Sequence, residues 1–200
     1  MRNATTAMVF ILAFAAMLGV AGDLEDKVAE LQVGDTAPIF QAKDDRGKAF
    51  DSQLLLGEQN LVVYFYPAAM TGGCTAQACS FRDDKAAFDS LNTTVVGVSG
   101  DSVKNLTYFK KVNNLNFPLL ADPAGSVARK FGVPLREGGS ITKTVDGEEV
   151  TLDRGVTQSR WTFIIDKSGK LIYKDTEVNA QQDSDTVLAF LKSHAEKNSQ

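Results

Sequence analysis

A chain of 200 residues with 44% hydrophobic and 23% charged content can bury one good core. The common domain size of roughly 100 to 150 residues then points to one compact domain plus extras. The formal net charge of −4 argues against a surface for nucleic acid or anionic membrane, because nothing basic is concentrated enough to hold phosphates, so the expected partner is small or neutral.

The first element in chain order is the uncharged apolar run MVFILAFAAMLGVAG, Met8 to Gly22. It has the length of a signal-peptide core and is short for a membrane span of about 20 residues. Val20-Ala21-Gly22 supplies small residues for cleavage before Asp23. The sequence thus divides into a signal peptide at 1–22 and a single domain at 23–200, exported to a compartment where disulfides persist. An uncleaved signal anchor is the alternative, since length alone separates the two.

In LQVGDTAPIFQAKDDRGKAFDS the alternation is weak, and Asp44-Asp45-Arg46-Gly47 reads as a turn between two short strands. LVVYFY (Leu61–Tyr66) and TVVGVS (Thr94–Ser99) are continuous apolar runs rich in β-branched and aromatic residues, the pattern of central strands covered on both faces. Between them ACSFRDDKAAFDSL places Ala78, Phe81, Lys85 and Phe88 at mostly helical spacing, so one crossover helix and a βαβ unit are expected. A helix in SVKNLTYFKKVNN, an extended FPLL ended by ADPAG, and a short helix through SVARKFGV follow. From Arg136 to Ser159 the chain is polar and glycine-bearing, with a small hairpin at Val145-Asp146-Gly147-Glu148. RWTFIID (Arg160–Asp166) and KLIYKD (Lys170–Asp175) flank Lys167-Ser168-Gly169 as an antiparallel hairpin, and a helix over Asp183–His194 closes the chain.

Two Asn-x-Thr patterns, at Asn92 and Asn105, are glycosylation acceptors only in a eukaryotic secretory route. The order of elements predicts an α/β fold, a mixed sheet with helices on both faces. The loop before Cys74 stands at the carboxyl end of a central strand, where open α/β sheets place their sites.

That loop holds the chemistry. Cys74 and Cys79 are the only cysteines, and Cys74 follows Pro67-Ala68-Ala69-Met70-Thr71-Gly72-Gly73 at or near the first turn of a helix. Free N–H groups and the positive end of the dipole favour a thiolate there. Thr71 can present its hydroxyl to that sulfur or to a bound oxygen substrate, or serve only as a turn residue. In one α-helix, residues five apart have Cα atoms roughly 8 to 9 Å apart, beyond the ~7 Å reach of a disulfide. A static disulfide and a pair of inert thiols compete with redox chemistry; the static bridge would close a very small loop and constrain the unfolded chain little. His194 is the only histidine, so a Cys-His protease, a Ser-His-Asp hydrolase and a cysteine-histidine zinc site each lack a partner.

Pro67-x-x-x-Thr71-x-x-Cys74, followed by Cys79 and Ser80-Phe81-Arg82-Asp83, resembles the peroxiredoxins. The five-residue cysteine spacing looks like the bacterioferritin-comigratory-protein or peroxiredoxin Q subfamily. VGDTAPIF, FPLLADPAG, KFGVP and Arg160 leading TFIIDKSGK fall in the order that family shows, so the resemblance runs from about Leu31 to the C-terminus. It implies a thioredoxin-like fold and a thiol peroxidase needing no metal or prosthetic group, acting on hydrogen peroxide or an alkyl hydroperoxide and recycled by a thioredoxin-like reductant. By that resemblance Cys74 is the peroxidatic cysteine and Cys79 the resolving one. Thr71 and Arg160 hydrogen-bond the thiolate and peroxide oxygens, and Pro67 shields the sulfur from water. The subfamily also implies a monomer. Ala68, Ala69 and Gly72 depart from the charged residues and Pro-Gly usual there, and Gln77 stands where an acid is common. The rival readings are an exported thioredoxin-like oxidoreductase acting on protein clients, which would ordinarily show Cys-x-x-Cys, and a binding module with a vestigial site.

Overall fold

The computed structural model describes residues 31–198; the expected signal peptide at 1–22 lies outside them. The elements are β1 (Gln41–Asp44), β2 (Ala49–Asp51), β3 (Asn60–Phe65), α1 (Gly72–Asp83), α2 (Lys85–Ser90), β4 (Thr93–Ser99), α3 (Val103–Asn113), β5 (Leu119–Ala121), α4 (Ser126–Lys130), β6 (Leu135–Val145), β7 (Glu148–Gln158), β8 (Trp161–Ile165), β9 (Leu171–Asp175) and α5 (Asp183–Asn198). Seven strands form one mixed sheet in the order β2-β1-β5-β4-β3-β8-β9, parallel at β3/β4 and β4/β5 and antiparallel elsewhere. The turn at Asp44–Gly47 and the β8–β9 hairpin stand where the sequence puts them.

The continuous apolar run of β3 has a physical cause in this order. Val62 and Tyr64, with Tyr66 just beyond the strand, point into a core shared with α1, α2, α3 and α5. Leu61, Val63 and Phe65 point into a second core, under α4. All six are buried, each worth about 1.5 to 3 kcal/mol relative to exposure, so the strand has no solvent face to make polar. Gly97 of β4 pairs with Tyr64, and a Cβ there would lie 2.6 Å from the tyrosine ring. The bare backbone lets Tyr64 lie flat across β4 and stack on Phe81 of α1, with ring centroids 4.7 Å apart.

Helix α1 buries Cys74, Gln77, Ala78 and Phe81, a stripe at i, i+3, i+4 and i+7. The single crossover helix of the sequence reading is corrected to two, because the chain leaves helical geometry at Asp84 (φ −89°, ψ 3°). There the Asp84 carboxylate accepts a 2.6 Å bond from Ser184 Oγ of α5, and the bend lets Phe88 reach the same core as Phe81.

The small hairpin expected around Val145–Glu148 is also corrected. β6 and β7 pair antiparallel from Leu135↔Gln158 to Val145↔Glu148, eleven residues each, as a separate two-stranded sheet. Its turn, Asp146-Gly147, has positive φ at both residues, as a two-residue hairpin turn requires. Half of its residues are exposed and only four are buried, so no apolar alternation announced its length. The hairpin docks beside the end of β4, where Gly155 N donates to Gly100 O (3.0 Å) and Asn105 Nδ2 to Asp153 O (2.8 Å). Asn105 is thereby buried, whereas Asn92 is exposed with its amide donating to Glu58 O. Helix α5 runs four residues past the expected end at His194.

Candidate active site

The loop 67–71 carries the chain from the carboxyl end of β3 to α1. Asp101, just after β4, anchors it: its Oδ2 accepts from Ala69 N (2.8 Å) and Ser99 Oγ (2.9 Å), and its Oδ1 from Asn105 Nδ2 (3.1 Å). Met70 takes up φ 63°, a left-handed conformation that costs a side-chain-bearing residue roughly 1 to 2 kcal/mol. Thr71 is extended (φ −99°, ψ 151°), and its hydroxyl donates to Ala68 O (2.9 Å) rather than capping the helix. The opening N–H groups of α1 thus carry no side-chain cap from Thr71. Pro67 is half-buried at the mouth of the loop.

Cys74 is the third residue of α1 and is 2% exposed, packed with Tyr64, Tyr66 and Ala69. Arg160, immediately before β8, reaches it because β8 runs antiparallel to β3 with Trp161 opposite Phe65. Arg160 Nη2 stands 3.4 Å from Cys74 Sγ, and Nη1 is hydrogen-bonded to Gln77 Oε1. The guanidinium thus sets a fixed positive charge and an N–H donor against the buried sulfur. Trp161, next in the chain, packs in the core of the α4 face against Phe163, with Lys174 Nζ 5.1 Å above its ring.

Behind Gln77 the polar chain continues inward. Gln77 Nε2 donates to Asp183 Oδ2 (2.6 Å), which also accepts from Thr162 Oγ1 (2.8 Å). Burial pushes the Asp183 carboxyl up to about 6, against the pull of the Gln77 and Thr162 hydrogen bonds.

Cys79 lies on the same helix, about 140° round its axis from Cys74, and is half-buried. It meets a different arginine: Arg82 Nη1 is 3.5 Å from its sulfur and donates to Asn113 O (2.7 Å). Both cysteines are free thiols. Among the described residues no group of three or more His, Cys, Asp or Glu side chains is placed to hold a metal.

The model of the AhpC/TSA family matches residues 33–174. Peroxiredoxin Bcp of Escherichia coli is 36% identical over 165 residues, covering 82% of this chain and 98% of its own. Among solved structures, Peroxidoxin BcpB of Mycobacterium tuberculosis superposes with a TM-score of 0.68 at 33% identity, covering 82% of this chain and 98% of that one. Peroxiredoxin Q of Xanthomonas campestris superposes with a TM-score of 0.64 at 30% identity, covering 78% and 91%.

The chain is a peroxiredoxin. Its relatives place it in the Bcp and peroxiredoxin Q subfamily, with the thioredoxin-like fold. This peroxiredoxin is a thiol-dependent peroxidase, an oxidoreductase that takes a peroxide and a thioredoxin-like reductant. The rival reading as a disulfide oxidoreductase for protein clients is not favoured.

Of the site residues read from the sequence, the fold brings Cys74 and Arg160 into contact, and Thr71 and Pro67 lie on the loop that leads into α1. Cys79 stands on another face of the same helix. The sequence reading passed over Asp101, Thr162 and Asp183, and it took Gln77 as a mild departure rather than as the partner of Arg160. One local signal was available for Asp183: an aspartate opening a helix behind a polar Gln181-Gln182 pair. Nothing local shows that it faces inward.

Proposed function

We propose that in this peroxiredoxin Cys74 attacks the peroxide and Cys79 resolves the product. The observation that carries the assignment is the Arg160 guanidinium on the buried Cys74 sulfur at an uncapped helix start. The Cys74 thiolate attacks one oxygen of ROOH. The O–O bond breaks, RO⁻ leaves and takes up a proton as ROH, and the sulfur becomes a sulfenic acid. The Cys79 thiol then attacks that sulfur, expelling water and forming a disulfide, which two electrons from a thioredoxin-like dithiol reduce. Arg160 steadies the thiolate and the attacked oxygen. Thr71, its proton given to Ala68 O, offers lone pairs to the hydroxyl proton on the attacked oxygen of the peroxide, and Pro67 limits water at the sulfur.

Substitution separates the roles. Cys74→Ser is expected to abolish peroxide reduction, whereas Cys79→Ser retains one equivalent of sulfenic acid formation, read by dimedone labelling, and loses turnover with thioredoxin. Equal loss of labelling in both variants would overturn the assignment.

We also propose that the protein is exported and monomeric. Support comes from the apolar run at Met8–Gly22 and from the subfamily's cysteine spacing, which keeps the resolving thiol in the same chain. Protein recovered outside the cytoplasm should begin near Asp23 and sediment as a single chain. A full-length cytosolic product, or a stable dimer, would contradict the corresponding half.

A further inference from the structure

Asp183 opens α5 but faces the sheet, 2% exposed. Its Oδ2 takes two hydrogen bonds, while Oδ1 has no hydrogen-bond partner among the described residues. Desolvating a carboxyl and leaving one oxygen unpaired is unfavourable. The chemistry it performs there is directional. An ionised carboxylate only accepts, so it takes the NH2 of Gln77 and turns the amide carbonyl toward Arg160 Nη1. With Nη1 held by that carbonyl, the other arm of the planar guanidinium lies on Cys74 Sγ.

We propose that Asp183 is a positioning residue: through Gln77 it holds Arg160 on the Cys74 sulfur, and it holds it more tightly ionised than protonated. The inference rests on Cys74 being the attacking thiol. A hydrogen bond to an ionised acceptor is roughly twice as strong as a neutral one, so protonating Asp183 loosens the relay without dismantling it. The groups facing Asp183 are Arg160 and Thr162 at β8, Gln77 on α1, Tyr64 on β3, and Tyr173 and Asp175 on β9. Asp84 lies across Ser184, and Asp185 is on its own helix. Tyr64 and Tyr173 have phenols raised above their ordinary range by burial and stay neutral throughout the acid range. The Asp175 charge pushes the Asp183 carboxyl the same way as burial does, and Arg160 opposes it.

The test uses the reduced full-length protein and Asp183→Asn, an isostere of the neutral acid, between pH 5 and pH 8. Two rates are read: consumption of one equivalent of hydrogen peroxide by stopped flow, and alkylation of the Cys74 peptide by iodoacetamide, followed by mass spectrometry. Asp183→Asn is expected to be about 3- to 10-fold slower than the wild type at pH 8 on both, converging with it at pH 5, as the loss of a charge-assisted bond implies. Asp183→Leu, checked for fold by circular dichroism, should be slow at every pH. A ratio constant across pH would reduce Asp183 to a packing role. A faster Asp183→Asn at pH 8 would make it a through-space charge opposing the thiolate. Either result overturns the proposal. If the expected ratio appears in alkylation while Cys74→Ser still consumes peroxide, the relay stands and the attacking-thiol assignment is what has failed.

Discussion

Asp183 sits where an ionised carboxyl is least at ease, and the stability of the protein should record it. In the unfolded chain the side chain titrates at its ordinary value of 3.8; folded, burial raises it to about 6. The folded state therefore holds the proton more firmly, and this stabilisation is complete below about pH 4 and lost as pH rises through about 6. A gap of about two units is worth on the order of 3 kcal/mol. Asp183→Asn removes the titration. Between pH 4 and pH 7 the wild type should lose stability relative to the variant by up to that amount, read from urea midpoints and slopes. Parallel pH curves for the two proteins would show that the carboxyl is not desolvated as its burial implies. A polar group kept at such a disadvantage, and linked through Gln77 and Arg160 to a reactive sulfur, is the pattern expected of a functional site.

At the scale of the element, α1 must serve two states. Both thiols ride on it, with Cα atoms about 8 to 9 Å apart by helical geometry, beyond the reach of a disulfide, so the first turns have to open before Cys79 can meet Cys74. The helix start is built for that. Gly72 and Gly73 lead it, the threonine before them gives no cap, and residues of middling propensity follow. Gly72 occupies the first helical position and Thr71 is already extended, the two conditions under which proline is accepted. A Cβ at Gly72 would meet nothing within 4 Å. Gly72→Pro is therefore expected to stabilise the reduced protein by about 0.4 to 1 kcal/mol. It should also slow disulfide formation by about 2- to 5-fold, with hydrogen exchange over residues 72–85 slowed in the reduced state. A gain in stability with an unchanged rate of disulfide formation would mean that the pair meets without unwinding the helix.

The whole molecule shows which parts of this arrangement a sequence can display. β3 and β4 were legible because strands buried on both faces have no polar side, and the β8–β9 hairpin because its turn residues sit between two apolar runs. The break at Asp84 was not, since it answers to Ser184, a hundred residues away. The long β6–β7 hairpin was not, since an exposed two-stranded ribbon needs no hydrophobic pattern. The site divides along the same line. Cys74, Cys79 and Thr71 lie in one contiguous motif, and Arg160 was reached through the resemblance. Asp183 is 106 residues from the amide it holds, and only the folded sheet brings them together. Joining such distant residues also leaves the protein readable from outside. The chain's single tryptophan follows Arg160 directly, tucked beneath the Lys174 ammonium. Because indole emission responds to a nearby charge, the fold sets a built-in optical reporter one residue from the guanidinium that touches Cys74.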